Sequence, residues 1–429
     1  MKYNVTACQL KRGGKGLMIN VPGATVMSSR IQFIAGSSYV KDYEHKSEAA
    51  HLMEHMAFGA NRDFKSVADF EAVFTKNGAY HNAGTGDIGM TYESVCADFE
   101  WDRILQLQAV SICTPKFTEA EFKSEMGNVR SELSGYLSEA GWVINPLMCQ
   151  ALGDKTKTVP ESLESLDNIT VEDIREHWRR THTMNNMRFI MAGDFTGDRL
   201  VRAEEIMNSF TLPEGERFER VADKLHSAPA ILVYRENVPE IVLKIKLRLR
   251  RALNKSDHYA MMLLNHILTS TMRSRINGDA RRRGLAYYVT SGSYRDLFES
   301  GWNFSTEVSE AKLPELMDLI VRELKRVCAG DISADELDAA KSYRLGRYQM
   351  GIQTVEQLVG LMSSAYFLKD EINNYAEIPE LINAVTVEQM VRVAKEFFAE
   401  NCWVLGLYGK TSQDMAGQMQ TKFAVLFDK

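Results

Sequence analysis

The segment Thr170-Val171-Glu172-Asp173 leads through a helical pattern and an Asn-containing turn into Met187-Arg188-Phe189-Ile190-Met191-Ala192-Gly193. A second segment, Thr386-Val387-Glu388-Gln389, leads in the same way into Cys402-Trp403-Val404-Leu405-Gly406-Leu407-Tyr408-Gly409. The opening threonine and the closing glycine both recur at an offset of 216 residues (170 to 386, 193 to 409). Threonine ahead of an apolar-periodic stretch is a helix N-cap signal, and a short apolar run closed by glycine reads as a buried strand. One such unit is common. Two at equal spacing point to a duplicated chain.

The flanking sequence agrees with duplication. Each half opens with strand signals, at 26–35 and at 243–249, the latter alternating strictly between apolar and basic residues. That alternation predicts a sheet with one buried face. Each half then enters a helix, at 46–58 and 257–269, and later carries a long amphipathic one, at 119–137 and 335–350. The polar stretch 210–228 contains Pro213 and Gly215 and separates the halves. The expected fold class is α+β, with two homologous domains, each an antiparallel sheet faced by helices. Their expected limits are 1–212 and 229–429, joined by a linker at 213–228.

Composition narrows the function. The 429 residues carry 51 basic and 57 acidic side chains, a formal net charge of -6. Nucleic-acid binding calls for a clustered basic face, and the obvious arginine clusters, at 248–251 and 281–283, are short. Six cysteines, at 8, 96, 113, 149, 328 and 402, form no C-x-x-C pair, which argues against a zinc ribbon and fits a reducing compartment. No apolar run approaches the roughly 20 residues that span a bilayer, and the N-terminus lacks the apolar core of a signal peptide. The expectation is a cytoplasmic protein with neither membrane nor nucleic-acid partners.

The chemistry sits in Ala49-Ala50-His51-Leu52-Met53-Glu54-His55-Met56-Ala57-Phe58. On a helix, positions 51, 54 and 55 share a face while 52, 53 and 56 point toward packing. Imidazoles at i and i+4 can hold one cation, and a carboxylate between them can reach a water on that cation without binding it. H-x-x-E-H is the inverted counterpart of the H-E-x-x-H zinc motif, and zinc suits imidazole plus carboxylate with one open position. Two histidines leave the site incomplete, so a third ligand must come from elsewhere.

At this point the sequence resembles the pitrilysin-like (M16) zinc metallopeptidases, in their shorter two-domain type. The family's HxxEH is followed near 77 residues on by a glutamate ligand, and here that position (55 to 132) is Glu132. A second family glutamate, seven residues earlier, matches Glu125 and implies a partner that orients a ligand from outside the coordination sphere. Gly78-Ala79-Tyr80-His81-Asn82-Ala83-Gly84-Thr85 is similar to the strand that pairs with extended substrate, which implies substrate contacts at Asn82 and Ala83. The alternative for Asn82 is a turn between strands. In the second half, Gly284-Leu285-Ala286-Tyr287-Tyr288 matches the family's substrate-closing motif, which implies a transition-state donor at Tyr287. The family arginine falls on Ala280 by spacing from Tyr287; Arg281, seven before Tyr288, takes that role if the preceding helix carries a one-residue deletion, and the alternatives are that the role is lost or passes to Arg282. His266, aligned with His55, has Met262 and Asn265 where His51 and Glu54 stand, which implies a metal-free domain with His266 in its core or an interface.

The resemblance therefore implies a clamshell peptidase. His51, His55 and Glu132 hold one Zn2+ per chain, Glu54 is the general base and acid, and Tyr287 with Arg281 assists. Substrates are peptides or unfolded segments, and the chain forms a homodimer or pairs with a related subunit. The alternative is a non-catalytic or heterodimer-dependent subunit, whose usual mark, a broken HxxEH, is absent here.

Overall fold

Both copies of the duplicated segment fold alike in the computed structural model, which describes residues 1–427. Thr170 and Thr386 adopt the same backbone (φ -116°, ψ 162°), and each hydroxyl accepts the N–H three residues on, from Asp173 and Gln389. The capped helices Val171–Thr181 and Val387–Glu400 lead into wholly buried strands, Arg188–Gly193 and Trp403–Gly409. The first copy spends more residues in its turn, because its helix stops at Thr181 while the second runs to Glu400, where Asn401 in the left-handed region (φ 47°) ends it.

Those strands organise two sheets. In the first, β1 (Asn4–Gln9), β2 (Lys15–Asn20), β3 (Val26–Phe33), β4 (Tyr80–Thr85), β5 (Met90–Ala97) and β6 (Arg188–Gly193) lie in the order β1-β2-β6-β3-β5-β4. In the second, β7 (Ile231–Tyr234), β8 (Glu240–Leu249), β9 (Val289–Arg295), β10 (Ser300–Ser309) and β11 (Trp403–Gly409) lie in the order β7-β11-β8-β10-β9. The orders correspond strand for strand once β1 is set aside. Each sheet is antiparallel except for one parallel pair, β2–β6 and β7–β11. The α+β architecture with two helix-faced sheets is thus as the sequence predicts.

The chain forms two compact units, but two helices are exchanged relative to a single boundary at 213–228. Residues 351–373 belong to the first unit and residues 138–158 to the second. In the first unit the helix Val355–Lys369 lies on β3 and β6, where Ser363 donates to Gln32 (2.7 Å) and Asp370 pairs with Arg188 and Lys15. In the second, Ala140–Leu152 lies on β11, with Ile144, Met148 and Leu152 against Cys402, Val404 and Tyr408. Gly406 permits this approach, since a Cβ there would stand 2.6 Å from Met148 Sδ. The stretch 210–230 carries neither helix nor strand.

The exchange corrects the one-faced reading of the alternating strand. In β8, Ile241, Leu243, Ile245 and Leu247 are fully buried as expected, but the basic face is covered too. Lys246 Nζ lies 3.1 Å from Cys149 Sγ, and Arg248, 4% exposed, pairs with Asp154 and Glu299. Charged side chains tolerate this cover because carboxylates meet Arg248 there. The helices expected at 46–58 and 257–269 are each broken. The first stops at Lys46 and restarts as Ala49–His55, because Glu48 gives its N–H to Ser165 Oγ. The second ends at Asn265 and continues as a π-turn, His266–Ser270.

Candidate metal centre

The helix Ala49–His55 is held by its apolar side. Ala49, Ala50, Leu52 and Met53 are all 0% exposed, so His51, Glu54 and His55 are left on the partly open face. The imidazole rings stand 4.9 Å apart at 78° to one another. The helix Glu119–Tyr136, capped by Thr118, packs beside it through buried Val129 and Leu133. That packing turns Glu125 and Glu132, two helical turns apart, toward the histidines. Glu132 Oε2 lies 3.3 Å from His55 Nε2 and 3.8 Å from His51 Nε2. One donor atom from each of His51, His55 and Glu132 falls within 4.8 Å of the others.

The remaining ring nitrogens are occupied. His51 Nδ1 is 2.9 Å from Glu48 Oε2, and His55 Nδ1 is 3.1 Å from Glu125 Oε2. A carboxylate oxygen accepts, so each Nδ1 is the nitrogen that donates outward, and each Nε2 is turned toward Glu132. This donor set fits a zinc ion held by two imidazoles and a carboxylate, each imidazole braced from outside. Tyr136 donates to the other oxygen of Glu132, and Asn128 donates to Glu125 (3.1 Å). Burial raises the Glu54 carboxyl above its ordinary range, against the opposing influence of His51, Thr85 and His55. For His51 burial pulls downward, but the hydrogen bond and charge of Glu48, with Glu54 and Glu132, outweigh it and leave the ring raised.

Glu48, Tyr136 and Asn128 were not among the residues read from the sequence. Their signal is helical spacing from the motif: Glu48 is three before His51, Tyr136 four after Glu132, and Asn128 three after Glu125.

Comparison with known proteins bears on the same segment. The family described as "Insulinase (Peptidase family M16)" matches residues 17–160, which contain His51, Glu54, His55, Glu125 and Glu132. "Peptidase M16 inactive domain" matches residues 168–343. The chain belongs to peptidase family M16. No curated protein matches it closely. Among solved structures, this M16 chain is similar to a protease from Helicobacter pylori, at 17% identity and TM-score 0.79, over 95% of this chain and 100% of that one. It is similar to a "peptidase M16 inactive domain" from Pseudomonas fluorescens, at 20% identity and TM-score 0.79, over 95% and 99%. A third, described as an M16-like peptidase from Alicyclobacillus acidocaldarius, aligns at 16% identity and TM-score 0.80 over 96% and 99%. At these identities the likeness is one of fold.

The other expected residues of the M16 chain fall in regular places. Asn82 and Ala83 lie within β4, opposite Glu93 and Tyr92, and not in a turn. Asn82 is exposed, Ala83 is buried, and β4 is an edge strand that contacts the Ala49–His55 helix. Arg281 and Tyr287 belong to the second unit, where the guanidinium stacks 4.0 Å over the Tyr287 ring and donates to its backbone oxygen. Tyr287 is 72% exposed and Tyr288 43%.

The second unit repeats the frame without the ligands. His266 stacks on Tyr343 (4.2 Å, 26°), and Tyr343 follows His266 by the same 77 residues that separate His55 from Glu132 (266 to 343, 55 to 132). Asn265, in the place of Glu54, accepts from Trp302 Nε1 (2.9 Å) and Ser291 Oγ (2.6 Å). His266 is therefore a packing residue, as read.

Proposed function

We propose that this chain is a zinc metalloendopeptidase hydrolysing peptides or unfolded polypeptide segments. The carrying observation is the convergence of His51 Nε2, His55 Nε2 and the Glu132 carboxylate, with both Nδ1 atoms held by glutamates and Glu54 alongside. Zinc bound there would supply Lewis acidity and lower the pKa of a water toward about 7. Glu48 and Glu125 keep each imidazole in the tautomer that offers Nε2. Tyr136 holds one oxygen of Glu132 and leaves the other facing the histidines. Glu54 takes the proton of the attacking water and returns it to the leaving amine. Its burial suits that exchange, because a carboxyl raised above its ordinary range holds a proton more readily than an exposed one. Substrate backbone adds to the free edge of β4 near Asn82 and Ala83, so recognition is largely main-chain. Tyr287, with Arg281 stacked on it, donates to the developing oxyanion. The chain works as a homodimer or with a related subunit, in a reducing cytoplasm.

A second reading has an observation behind it. One similar structure and one matching family segment both carry the name "inactive domain", which leaves catalysis open and keeps a non-catalytic or partner-dependent subunit as the second reading. A single experiment separates the two. The purified chain is assayed alone on a quenched peptide, as wild type and as Glu54→Gln, with metal content measured in both. Hydrolysis that falls by about 10²–10⁴-fold in the variant while zinc is retained supports the peptidase. An inert wild type that a related subunit rescues supports the second reading, and equal activity in the two proteins removes the proposed base.

A further inference from the structure

The second unit puts a fixed cation where the first has its ligand cluster. Arg344 follows Tyr343 on the helix Ala334–Met350, and its Nη2 lies 3.2 Å from Sδ of Met262, the residue in the place of His51. A thioether is a weak acceptor, and a guanidinium has five donors. No carboxylate pairs with Arg344 among the described residues. The deeply buried arginines Arg188, Arg248 and Arg275 are each met by at least one. Burial, then the neighbouring Arg347, makes the charge of Arg344 harder to keep. Arg295 acts on the same surroundings, since it and Arg344 both bear on His258 and Tyr259. Arg295 is also the last residue of β9, the edge strand of its sheet.

We propose that this corner of the second unit binds the carboxylate of an extended peptide, with Arg344 as its receptor. A partly buried guanidinium lacking an acid costs stability until a carboxylate meets it, and its planar fork matches a carboxylate in two hydrogen bonds. The free edge of β9 offers main-chain pairing to the rest of the peptide, and Tyr343, 40% exposed, gives an aromatic wall beside the charge. The carboxylate is either a C-terminus or an acidic side chain. The proposal rests on the peptide reading above and adds the chemistry of the ligand.

The test uses Glu54→Gln protein, so that peptides persist, and fluorescence anisotropy with three labelled hexapeptides. One has a free C-terminus, one is its amide, and one is an amide with an internal glutamate. At least one acidic peptide binds about tenfold or more tighter than the neutral amide. Which one it is distinguishes the two sources. Arg344→Met removes the preference without weakening the neutral amide, and Arg344→Lys keeps part of it, with melting curves confirming that both fold. Equal affinity for all three peptides overturns the proposal, as does a preference that survives a folded Arg344→Met or an absence of binding altogether. The acid–amide comparison itself needs no change at Arg344. Hydrolysis by the wild type, measured separately, reports on the peptidase reading, so either can fail alone.

Discussion

The helix Ala49–His55 and its counterpart Lys255–Asn265 keep one frame and diverge in what the frame presents. The inward positions correspond pair by pair: Ala49 with Ala260, Ala50 with Met261, Leu52 with Leu263 and Met53 with Leu264, all 0% exposed. Three of the four outward positions do not, since Met262, Asn265 and Tyr343 stand in the places of His51, Glu54 and Glu132, while His266 keeps the histidine of His55. Burial fixes where the helix lies, because any loss of volume there leaves a cavity. The other face is partly open in the first helix, and in the second it is refilled by a buried amide held by Trp302 and Ser291, a stacked ring and a thioether, while the inward frame stays the same. On the proposed reading, metal binding would rest on three side chains, His51, His55 and Glu132, and the architecture would be indifferent to it.

If that is so, the first region should become like the second by a single change. His51→Met, copying Met262, is expected to reduce zinc from one per chain to none and to abolish hydrolysis, read by elemental analysis and a peptide assay. A variant that keeps its zinc would break the correspondence. A smaller effect is expected one layer out. Glu125→Gln keeps the shape but weakens the brace on His55 Nδ1, and chelator competition should show zinc affinity lower by about 10–100-fold. Unchanged affinity would reduce Glu125 to a surface carboxylate. At the offset of the duplication, Ile190 in the first sheet stands where Gly406 stands in the second. Gly406→Ala should cost about 1–3 kcal/mol by urea unfolding, because the Ala140–Leu152 helix leaves no room for a methyl group. A neutral result would mean that the exchanged helix packs loosely. Smallest of all, Tyr343→Ala should lower stability by about 1 kcal/mol through loss of the ring stacked on His266, with zinc content untouched.

The duplication, the sheets and the pairing of His51 with His55 were legible because each leaves a local signature: a capped helix running into an apolar strand, or two imidazoles one helical turn apart. Glu132 and the strand at Asn82 carry no such signature and were reached only through the resemblance to the M16 family. The exchange of helices was not. The amphipathic pattern at 140–152 says that one side is buried but not against which sheet, and Lys244, Lys246 and Arg248 read as a solvated face until that helix covers them. Glu48 and Tyr136 escaped notice because a carboxylate or phenol one turn from a ligand is indistinguishable in sequence from a surface residue. Only the positions of the imidazole Nδ1 atoms and of the second Glu132 oxygen give them a role.

Zinc-edge X-ray absorption on the purified protein tests the coordination directly. The expected spectrum has only nitrogen and oxygen neighbours near 2.0–2.2 Å, with the outer-shell pattern of two imidazoles, and it collapses in Glu132→Ala. A sulfur shell near 2.3 Å would place the metal on cysteine, and an unchanged spectrum in Glu132→Ala would remove that glutamate from the site; either contradicts a centre built from His51, His55 and Glu132.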